Sequence, residues 1–273
     1  MHAKRPLIAV TAGDPCGIGP EVVLKALAPH PPRHARFLVI GDHAVLTQTT
    51  KLLRRRLPGW PVRGLRSVWQ EPDDPVTFLD CRHAARFVPG RPTAASGRAA
   101  LAYLDGAIAL HRAGRIQALV TAPVTKWAIG RAGHQFEGQT EYLAQALRRR
   151  DVVMMFVSDS LRVVLSTRHL PLREVPRAVS RRLVRTTVRL TADALKRLFG
   201  VRRPRLAICG LNPHAGELGL FGTEERQVLL PALRTLRTQG FVCEGPFAAD
   251  GLFARLAHPA RGHAPYDAVI CWY

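Results

Sequence analysis

The feature that most constrains this sequence is the regular alternation of short apolar runs with segments of helical periodicity. Apolar runs of strand length include LIAVT, RFLVIGD, ALVTAPV, VVMMFVS, RVVLST, LAICG and DAVICWY. Between them, apolar residues recur at helical spacing and predict helices at 20–28, 43–56, 96–114, 140–150, 175–199 and 224–237. Such alternation is typical of an α/β fold with a largely parallel sheet. No apolar run reaches the length that a membrane-spanning helix needs.

The length of 273 residues allows one large or two medium domains, each with its own core. We expect a domain change near residue 122, which gives a first α/β domain over 1–122 and a second over 123–273. The Pro- and Gly-rich stretch 58–92 predicts short strands and loops. The N-terminal apolar stretch is short and reaches Asp14 quickly, so it predicts a first strand and not a signal peptide.

The charge is strongly positive, with 40 Lys and Arg against 20 Asp and Glu, a formal net charge of +20. Nucleic-acid binding is one explanation of such a charge. No aromatic residues interleave with the arginine clusters to stack bases, and no DNA-binding motif spacing is present. We therefore expect no nucleic-acid partner. The positive field would help to attract an anionic substrate.

The five cysteines are scattered singly, with no CxxC pair. Neither a disulfide framework nor a cysteine zinc site follows from this pattern. A reducing cytoplasmic location is expected, because disulfides are rare there.

Two histidines stand apart from the other nine because each follows an apolar strand and lies close to a proline. His169 occurs in VVLSTRHLPL and His214 in LAICGLNPHAGE. In α/β proteins the loops after the carboxyl ends of strands carry the binding and catalytic residues. Residue type and position alone leave two possibilities open, a metal site and a pair of ordinary loop histidines.

Three further segments are candidates for function. GDPCGIGPE at 13–21 could hold an anion at a helix start or could be a tight strand–helix turn. It lacks the spacing of a P-loop or a Rossmann fingerprint. In EGQTEYLAQAL, Thr140 could cap a helix that begins at Glu141, with Gln139 at its entrance. Asp250, in GPFAADGLFARL, could be a functional acid or only the N-cap of the helix that follows.

Seven segments, taken in order, resemble those of the 4-hydroxythreonine-4-phosphate dehydrogenases: GDPCGIGPE, VTAPVTK, GQTEYLA, RVVLSTRHLPL, CGLNPHAGE, GTEE and GPFAADGLF. The resemblance extends from about Leu7 to Tyr273. It implies an isocitrate/isopropylmalate-dehydrogenase-like fold of two α/β domains with a cleft between them, in a homodimer with the site at the subunit interface. The implied reaction oxidises 4-phosphooxy-L-threonine with NAD or NADP. Loss of carbon dioxide then gives 3-amino-2-oxopropyl phosphate for pyridoxal 5'-phosphate biosynthesis.

The same resemblance assigns roles to the candidate residues. His169 and His214 would hold a divalent ion (zinc, magnesium or cobalt) that chelates the substrate hydroxyl and amine. Asp250 would transfer a proton during catalysis, and Gln139 and Thr140 would bind the phosphorylated substrate. The resemblance assigns no cofactor-binding residue.

One departure from the family pattern concerns substrate binding. The family segment reads Gly-His-Thr-Glu, whereas this chain has Gly138-Gln139-Thr140-Glu141. The Gln139 carboxamide can donate and accept hydrogen bonds but carries no positive charge, so an anionic group would be held less tightly. Two alternatives therefore stay open. One is a sister dehydrogenase for another phosphorylated or cyclic diol acid, and the other is a non-catalytic homologue.

The second departure is at the C-terminus. Beyond the position of Tyr273 the family continues with His-Asp-Gln-Gly, whose histidine is the third metal ligand, and then with further substrate-binding residues and the end of the first domain. We therefore expect a C-terminally truncated chain that holds metal weakly and shows little turnover by itself.

Overall fold

A computed structural model describes residues 5–28, 30–64, 74–83, 86–257 and 265–273. The chain divides into two compact units, Met1–Arg149 and Arg150–Tyr273. Each unit contains one five-stranded sheet. This arrangement confirms the α/β class predicted from the alternation of strand and helix patterns.

The sheet of the first unit is parallel throughout, in the order β3-β4-β2-β1-β5. Its strands are β1 (Leu7–Thr11), β2 (Arg36–Gly41), β3 (Val62–Arg63), β4 (Val76–Asp80) and β5 (Ala118–Thr121). Strand β2 is buried along its whole length, as expected for its apolar run FLVIG in a sheet covered on both faces. Of the stretch 58–92, expected to hold short strands and loops, residues 65–73 and 84–85 lie outside the described residues.

The helices of the first unit are α1 (Gly19–Leu27), α2 (His43–Leu52), α3 (Ala94–Arg112), α4 (Lys126–Arg131) and α5 (Gln139–Ala146). Helix α3 begins at Ala94 because the Thr93 and Ser96 side chains form a reciprocal capping box. Helix α2 ends at Leu52 and not at residue 56 as expected, and Arg54 beyond it has a left-handed φ of 51°.

A buried carboxylate joins three segments of the first unit. Asp42, directly after β2, accepts hydrogen bonds from the Tyr103 hydroxyl on α3 at 2.7 Å and from the His83 backbone N–H at 2.9 Å. Burial, and then the charge of Asp42, raise the pKa of Tyr103 well above its usual range. The Tyr103 hydroxyl therefore stays protonated and serves as a hydrogen-bond donor.

The division between the units lies at 149/150, later than the domain change expected at 122/123. Residues 123–149 belong to the first unit because α4 packs against α3. At the crossing, a Cβ on Gly97 would lie 2.3 Å from the Ala128 carbonyl oxygen, so only glycine permits this approach. Phe136 and Tyr142 then pack against the buried side chains of that contact.

The sheet of the second unit has the order β6-β7-β10-β8-β9, with β6 antiparallel to β7 and the other pairs parallel. Its strands are β6 (Met154–Val157), β7 (Arg162–Leu165), β8 (Arg205–Cys209), β9 (Val242–Phe247) and β10 (Ala268–Cys271). Although β10 is the last of these in the sequence, it lies at the centre of the sheet. Its residues Val269 and Ile270 are both 0% exposed, as expected for the middle of an α/β sheet.

The helices of the second unit are α6 (Val175–Ala178), α7 (Arg181–Phe199), α8 (Leu230–Thr238) and α9 (Ala249–Ala257). The helix expected within 175–199 is confirmed as α7, but the segment is not helical throughout. It divides before Ser180, which is extended and accepts a hydrogen bond from the Leu183 N–H as the N-cap of α7. The helix expected over 224–237 begins instead with a π-helical turn, Glu225–Leu229, that leads into α8. Across the described residues, no helix combines the length and the apolar character needed to cross a membrane.

The glycine-rich turn after β1 makes a testable prediction about packing. A Cβ on Gly19 would lie 2.1 Å from the backbone carbonyl oxygen of Ala12, whereas a Cβ on Gly17 would meet nothing closer than 3.4 Å. We expect Gly19→Ala to lower the free energy of unfolding by about 1–3 kcal/mol, because the backbone must shift to accept the methyl group. Gly17→Ala, in the same turn, is the matched control and should change it by less than about 0.5 kcal/mol. Urea denaturation of both variants measures the difference, and equal stabilities would contradict the described packing.

Candidate active site

Three neighbouring parallel strands of the second unit end at one edge of the sheet. Strand β10 lies between β7 and β8, with Val164 and Ile208 both paired to Ile270. The ladder between β7 and β10 continues past the strands, since the Thr167 N–H donates to the Trp272 carbonyl at 3.1 Å. The segments that follow these strands therefore begin side by side, at the edge where α/β proteins bind ligands.

The segment after β8 forms one wall of a pocket of about 250 Å³. His214 lines this pocket together with residues 210–213, and Asp250 and Tyr273 line it from α9 and from the end of β10. The structure thus brings two of the candidate residues, His214 and Asp250, into one pocket. Asp250 is the second residue of α9 and lies in its first turn, so it is not the N-cap of that helix.

The segment after β7 lines a second pocket, of about 350 Å³. Thr167, Arg168 and His169 contribute its polar side, and the same Tyr273 lines it as well. His169 and His214 therefore occupy two pockets that share one wall, Tyr273, which lies two residues after β10.

Both histidines have left-handed backbone conformations, with φ of 50° at His169 and 53° at His214. Non-glycine residues seldom adopt this region, and holding one there costs on the order of 1–3 kcal/mol. Around His214 the strain continues, because Ala215, Glu217 and Leu218 also have positive φ. Strained residues of this kind concentrate at binding and catalytic sites, where the surrounding structure fixes them.

A buried carboxylate fixes the loop that carries His214. Glu225, only 5% exposed, accepts hydrogen bonds from the backbone N–H groups of Leu211 and Asn212 at 2.7 and 2.8 Å. The Asn212 side chain donates both to Glu225 at 2.9 Å and to Glu224 at 2.8 Å. The hydrogen bond from Asn212 lowers the pKa of Glu224. Sequence reasoning missed Glu225 as a support for this loop. The signal that could have found it is helical spacing, because Glu225 lies four residues before Leu229 and eight before Leu233, on the face that carries these buried leucines.

The other two candidate residues lie in the first unit. Gln139 and Thr140 are the first two residues of α5, which Gly138 precedes without a side-chain cap. The expected role of Thr140 as the cap of a helix beginning at Glu141 is therefore wrong, because the helix starts earlier. Gln139 donates from Nε2 to the Ala122 carbonyl at 3.3 Å. Its Oε1 is buried, and no hydrogen-bond partner lies among the described residues.

The glycine-rich segment 13–21 forms a tight turn between β1 and α1. The Cys16 N–H donates to the Asp14 carboxylate at 2.8 Å, and the Asp14 N–H donates to the Pro123 carbonyl at 3.0 Å. Gly13 has a φ of +73°, and a Cβ there would lie 2.3 Å from the Pro123 oxygen. Close approaches of neighbouring backbone therefore explain the glycines at positions 13 and 19 of this segment.

The donor atoms at the histidine edge allow the fit of a metal ion to be tested. Imidazole nitrogens are common ligands of zinc and cobalt, and His169 and His214 follow the two strands that flank β10. In the part of the chain that the structure describes, no His, Cys, Asp or Glu residues form a group of three able to hold an ion. The two imidazoles line separate pockets and could supply at most a partial donor set, so other ligands would have to complete the coordination of an ion.

Comparisons with known proteins give one family match and several similar dehydrogenases. The family described as pyridoxal phosphate biosynthetic protein PdxA matches residues 33–273. A 4-hydroxythreonine-4-phosphate dehydrogenase of Desulforapulum autotrophicum is 38% identical over 278 residues, which cover 100% of this chain and 79% of the relative. A D-threonate 4-phosphate dehydrogenase of Cupriavidus necator is 39% identical over 283 residues, which cover 100% and 81% of the two chains.

A solved structure agrees with these sequence matches. The crystal structure of 4-hydroxythreonine-4-phosphate dehydrogenase from Klebsiella pneumoniae superposes with a TM-score of 0.84 at 32% identity, covering 99% of this chain and 81% of that chain. This likeness confirms the isocitrate/isopropylmalate-dehydrogenase-like fold expected from the sequence. The chain therefore belongs to the PdxA family of pyridoxal phosphate biosynthetic proteins.

Proposed function

We propose that this chain is a nicotinamide-dependent oxidoreductase acting on 4-hydroxythreonine 4-phosphate. Oxidation of the substrate hydroxyl would be followed by decarboxylation to 3-amino-2-oxopropyl phosphate. The observation that carries the proposal is the shared wall at Tyr273, with His214 and Asp250 in one pocket and His169 in the adjoining one. Relatives at 38% identity and above that bear this name support the choice of substrate.

His169 and His214 would together hold a divalent ion, zinc, magnesium or cobalt. When bound, such an ion would act as a Lewis acid that lowers the pKa of the substrate hydroxyl and stabilises the charge formed on decarboxylation. The contribution of the chain is to fix the two imidazoles. Strand β7 and the Glu225 hydrogen bonds determine where the segments that carry them begin.

Asp250 is the proposed acid–base residue. Its carboxylate lies in the pocket with His214, in the first turn of α9. A carboxylate there can take the proton released from the substrate hydroxyl and return a proton to the decarboxylated product. The reactive hydride passes to NAD or NADP, which the protein must bind and orient.

Gln139 and Thr140 are the proposed substrate-binding residues. The buried Oε1 of Gln139 can accept a hydrogen bond from a ligand, while its Nε2 is held by the Ala122 carbonyl. A neutral carboxamide at this place would bind a phosphate or carboxylate more weakly than a charged side chain. This difference makes Gln139 a determinant of substrate choice.

D-threonate 4-phosphate is a second candidate substrate. The relative with that name is 39% identical, a value within the range of 38–42% shown by the 4-hydroxythreonine-4-phosphate dehydrogenases, so identity does not separate the two activities. The two substrates differ at one position, where an amine is replaced by a hydroxyl. The proposal also includes a homodimer. It further includes a cytoplasmic location, because the five free cysteines would stay reduced there.

A substrate panel tests the proposed reaction. With NAD or NADP and a divalent ion, we expect the rate at which reduced nicotinamide forms, although low, to be higher from 4-hydroxythreonine 4-phosphate than from D-threonate 4-phosphate or an unphosphorylated diol acid. Thermal shift with each substrate gives a second readout that does not need turnover, because a bound ligand raises the melting temperature. The reverse order in both assays would favour the D-threonate activity. If no substrate gave turnover or raised the melting temperature, both proposed substrates would be contradicted.

Metal binding tests the two histidines. We expect His169→Gln and His214→Gln each to weaken cobalt or zinc binding by at least about tenfold, because each removes one imidazole ligand. Isothermal titration calorimetry measures the change. His111→Gln, on the exposed end of α3, is the matched control and should leave the affinity unchanged. Equal affinities in all four proteins would show that the ion binds elsewhere.

Replacement of Asp250 tests its role in proton transfer. Asp250→Asn keeps the shape of the side chain but cannot accept a proton at neutral pH, so kcat is expected to fall by about 10²–10⁴ while KM changes little. Steady-state kinetics gives both values. Asp159→Asn, in the exposed turn before β7, is the control for the loss of one carboxylate. A fully active Asp250→Asn enzyme would remove the residue from the mechanism.

A further inference from the structure

Two cysteines from neighbouring strands face each other beside the proposed site. Cys209 ends β8 and Cys271 ends β10, and their sulfur atoms are 3.6 Å apart. All five cysteines of the chain are free thiols in the structure. The metal, substrate and cofactor roles proposed above use neither Cys209 nor Cys271.

The backbone places these two residues at a spacing that a disulfide requires. Ile208 and Ile270 are paired in the parallel ladder, so the next residue of each strand, Cys209 and Cys271, projects to the same face. Both belong to one apolar cluster with Leu252 of α9. Neighbouring strands lie about 4.8 Å apart, within the range of about 4.4–6.8 Å between the Cα atoms of disulfide-bonded cysteines. Side-chain rotation can therefore bring the two sulfurs into bonding distance.

Cys271 differs from the other four cysteines in its surroundings. A hydrogen bond with Cys209 lowers the pKa of Cys271, while this same contact, together with burial, raises the pKa of Cys209. Burial raises the pKa of Cys81 to about 12 and also raises those of Cys16 and Cys243. The thiolate is the reactive form of cysteine, and Cys271 is only partly buried. Cys271 is thus the thiol that a small oxidant attacks first.

We propose that Cys209 and Cys271 form a peroxide-reactive dithiol that closes to a reversible disulfide. The Cys271 thiolate attacks a peroxide oxygen, an S–O bond forms, the O–O bond breaks, and a protonated oxygen leaves as water. Cys209 then attacks the sulfenic acid on Cys271, the S–S bond forms, and the second oxygen leaves as water. Two thiols are oxidised and one hydrogen peroxide is reduced to two water molecules. A thiol reductant reverses the reaction by exchange.

This dithiol is joined directly to the walls of the proposed site. Gly210, which follows Cys209, begins the wall that carries His214, and Tyr273 is separated from Cys271 by Trp272 alone. The buried Trp272 donates from Nε1 to the Cys209 carbonyl at 2.7 Å. Closure of the disulfide therefore moves atoms next to both walls, and the Trp272 indole is a reporter of the change.

Peroxide treatment of the intact chain tests the proposal without any assay of turnover. We expect two of the five thiols to be lost, one peptide cross-link between Cys209 and Cys271 by mass spectrometry, and an altered tryptophan emission, all restored by dithiothreitol. Cys209→Ser should stop the reaction at a sulfenic acid on Cys271 that a dimedone probe labels. Cys271→Ser should leave Cys209 as a thiol. Cys243→Ser, a buried cysteine on β9, is the control and should behave as the wild type.

Several outcomes would contradict the proposed dithiol. A cross-link between any other pair, a link between two chains, or thiol loss at the same rate in the Cys271→Ser variant would overturn the proposal. Retention of all five thiols by the folded wild type, under peroxide that oxidises the urea-unfolded chain, would also overturn it. Circular dichroism of each variant, with Cys209→Ala as a second replacement in the apolar cluster, separates loss of reactivity from loss of folding.

Discussion

The parallel pairing of β10 between β7 and β8 is the constraint on which the second unit depends. Its central residues Val269 and Ile270 are fully buried in different apolar clusters, so a slip of the strand by one residue would exchange side chains between the two clusters and disturb the packing of both. This register fixes where Tyr273, the segment of His169 and the loop of His214 begin. The same register sets Cys209 beside Cys271, so the candidate active site and the proposed dithiol have one structural origin.

Much of this site could be predicted from the sequence because the carboxyl ends of buried strands are visible as the ends of apolar runs. His169 and His214 follow two such runs, and the structure places each in a pocket lined by the residue that ends the third run. The support of the His214 loop could not be predicted in the same way. Glu225 acts through backbone N–H groups that come from 13 and 14 residues earlier in the chain, and such contacts have no local pattern. The left-handed conformations of residues 214–218 likewise depend on tertiary contacts.

The boundaries of elements and units were harder to predict than their type. The segment after residue 122 starts a new pattern of loops and short helices, which favoured a domain change there. Its assignment to the first unit depends on the missing side chain of Gly97, which lets α4 approach α3, a contact that periodicity does not reveal. A single hydroxyl had a similar effect in the second unit, where the cap at Ser180 divides a segment whose apolar spacing is continuous.

The central proposal for this site is that His169 and His214 converge on one ion beyond the end of β10. Anomalous X-ray scattering from a crystal of this chain soaked with cobalt measures it most directly. We expect one cobalt peak about 2 Å from a ring nitrogen of each imidazole, next to Tyr273. A peak bound to only one of the histidines, or cobalt only at other positions of the chain, would contradict it.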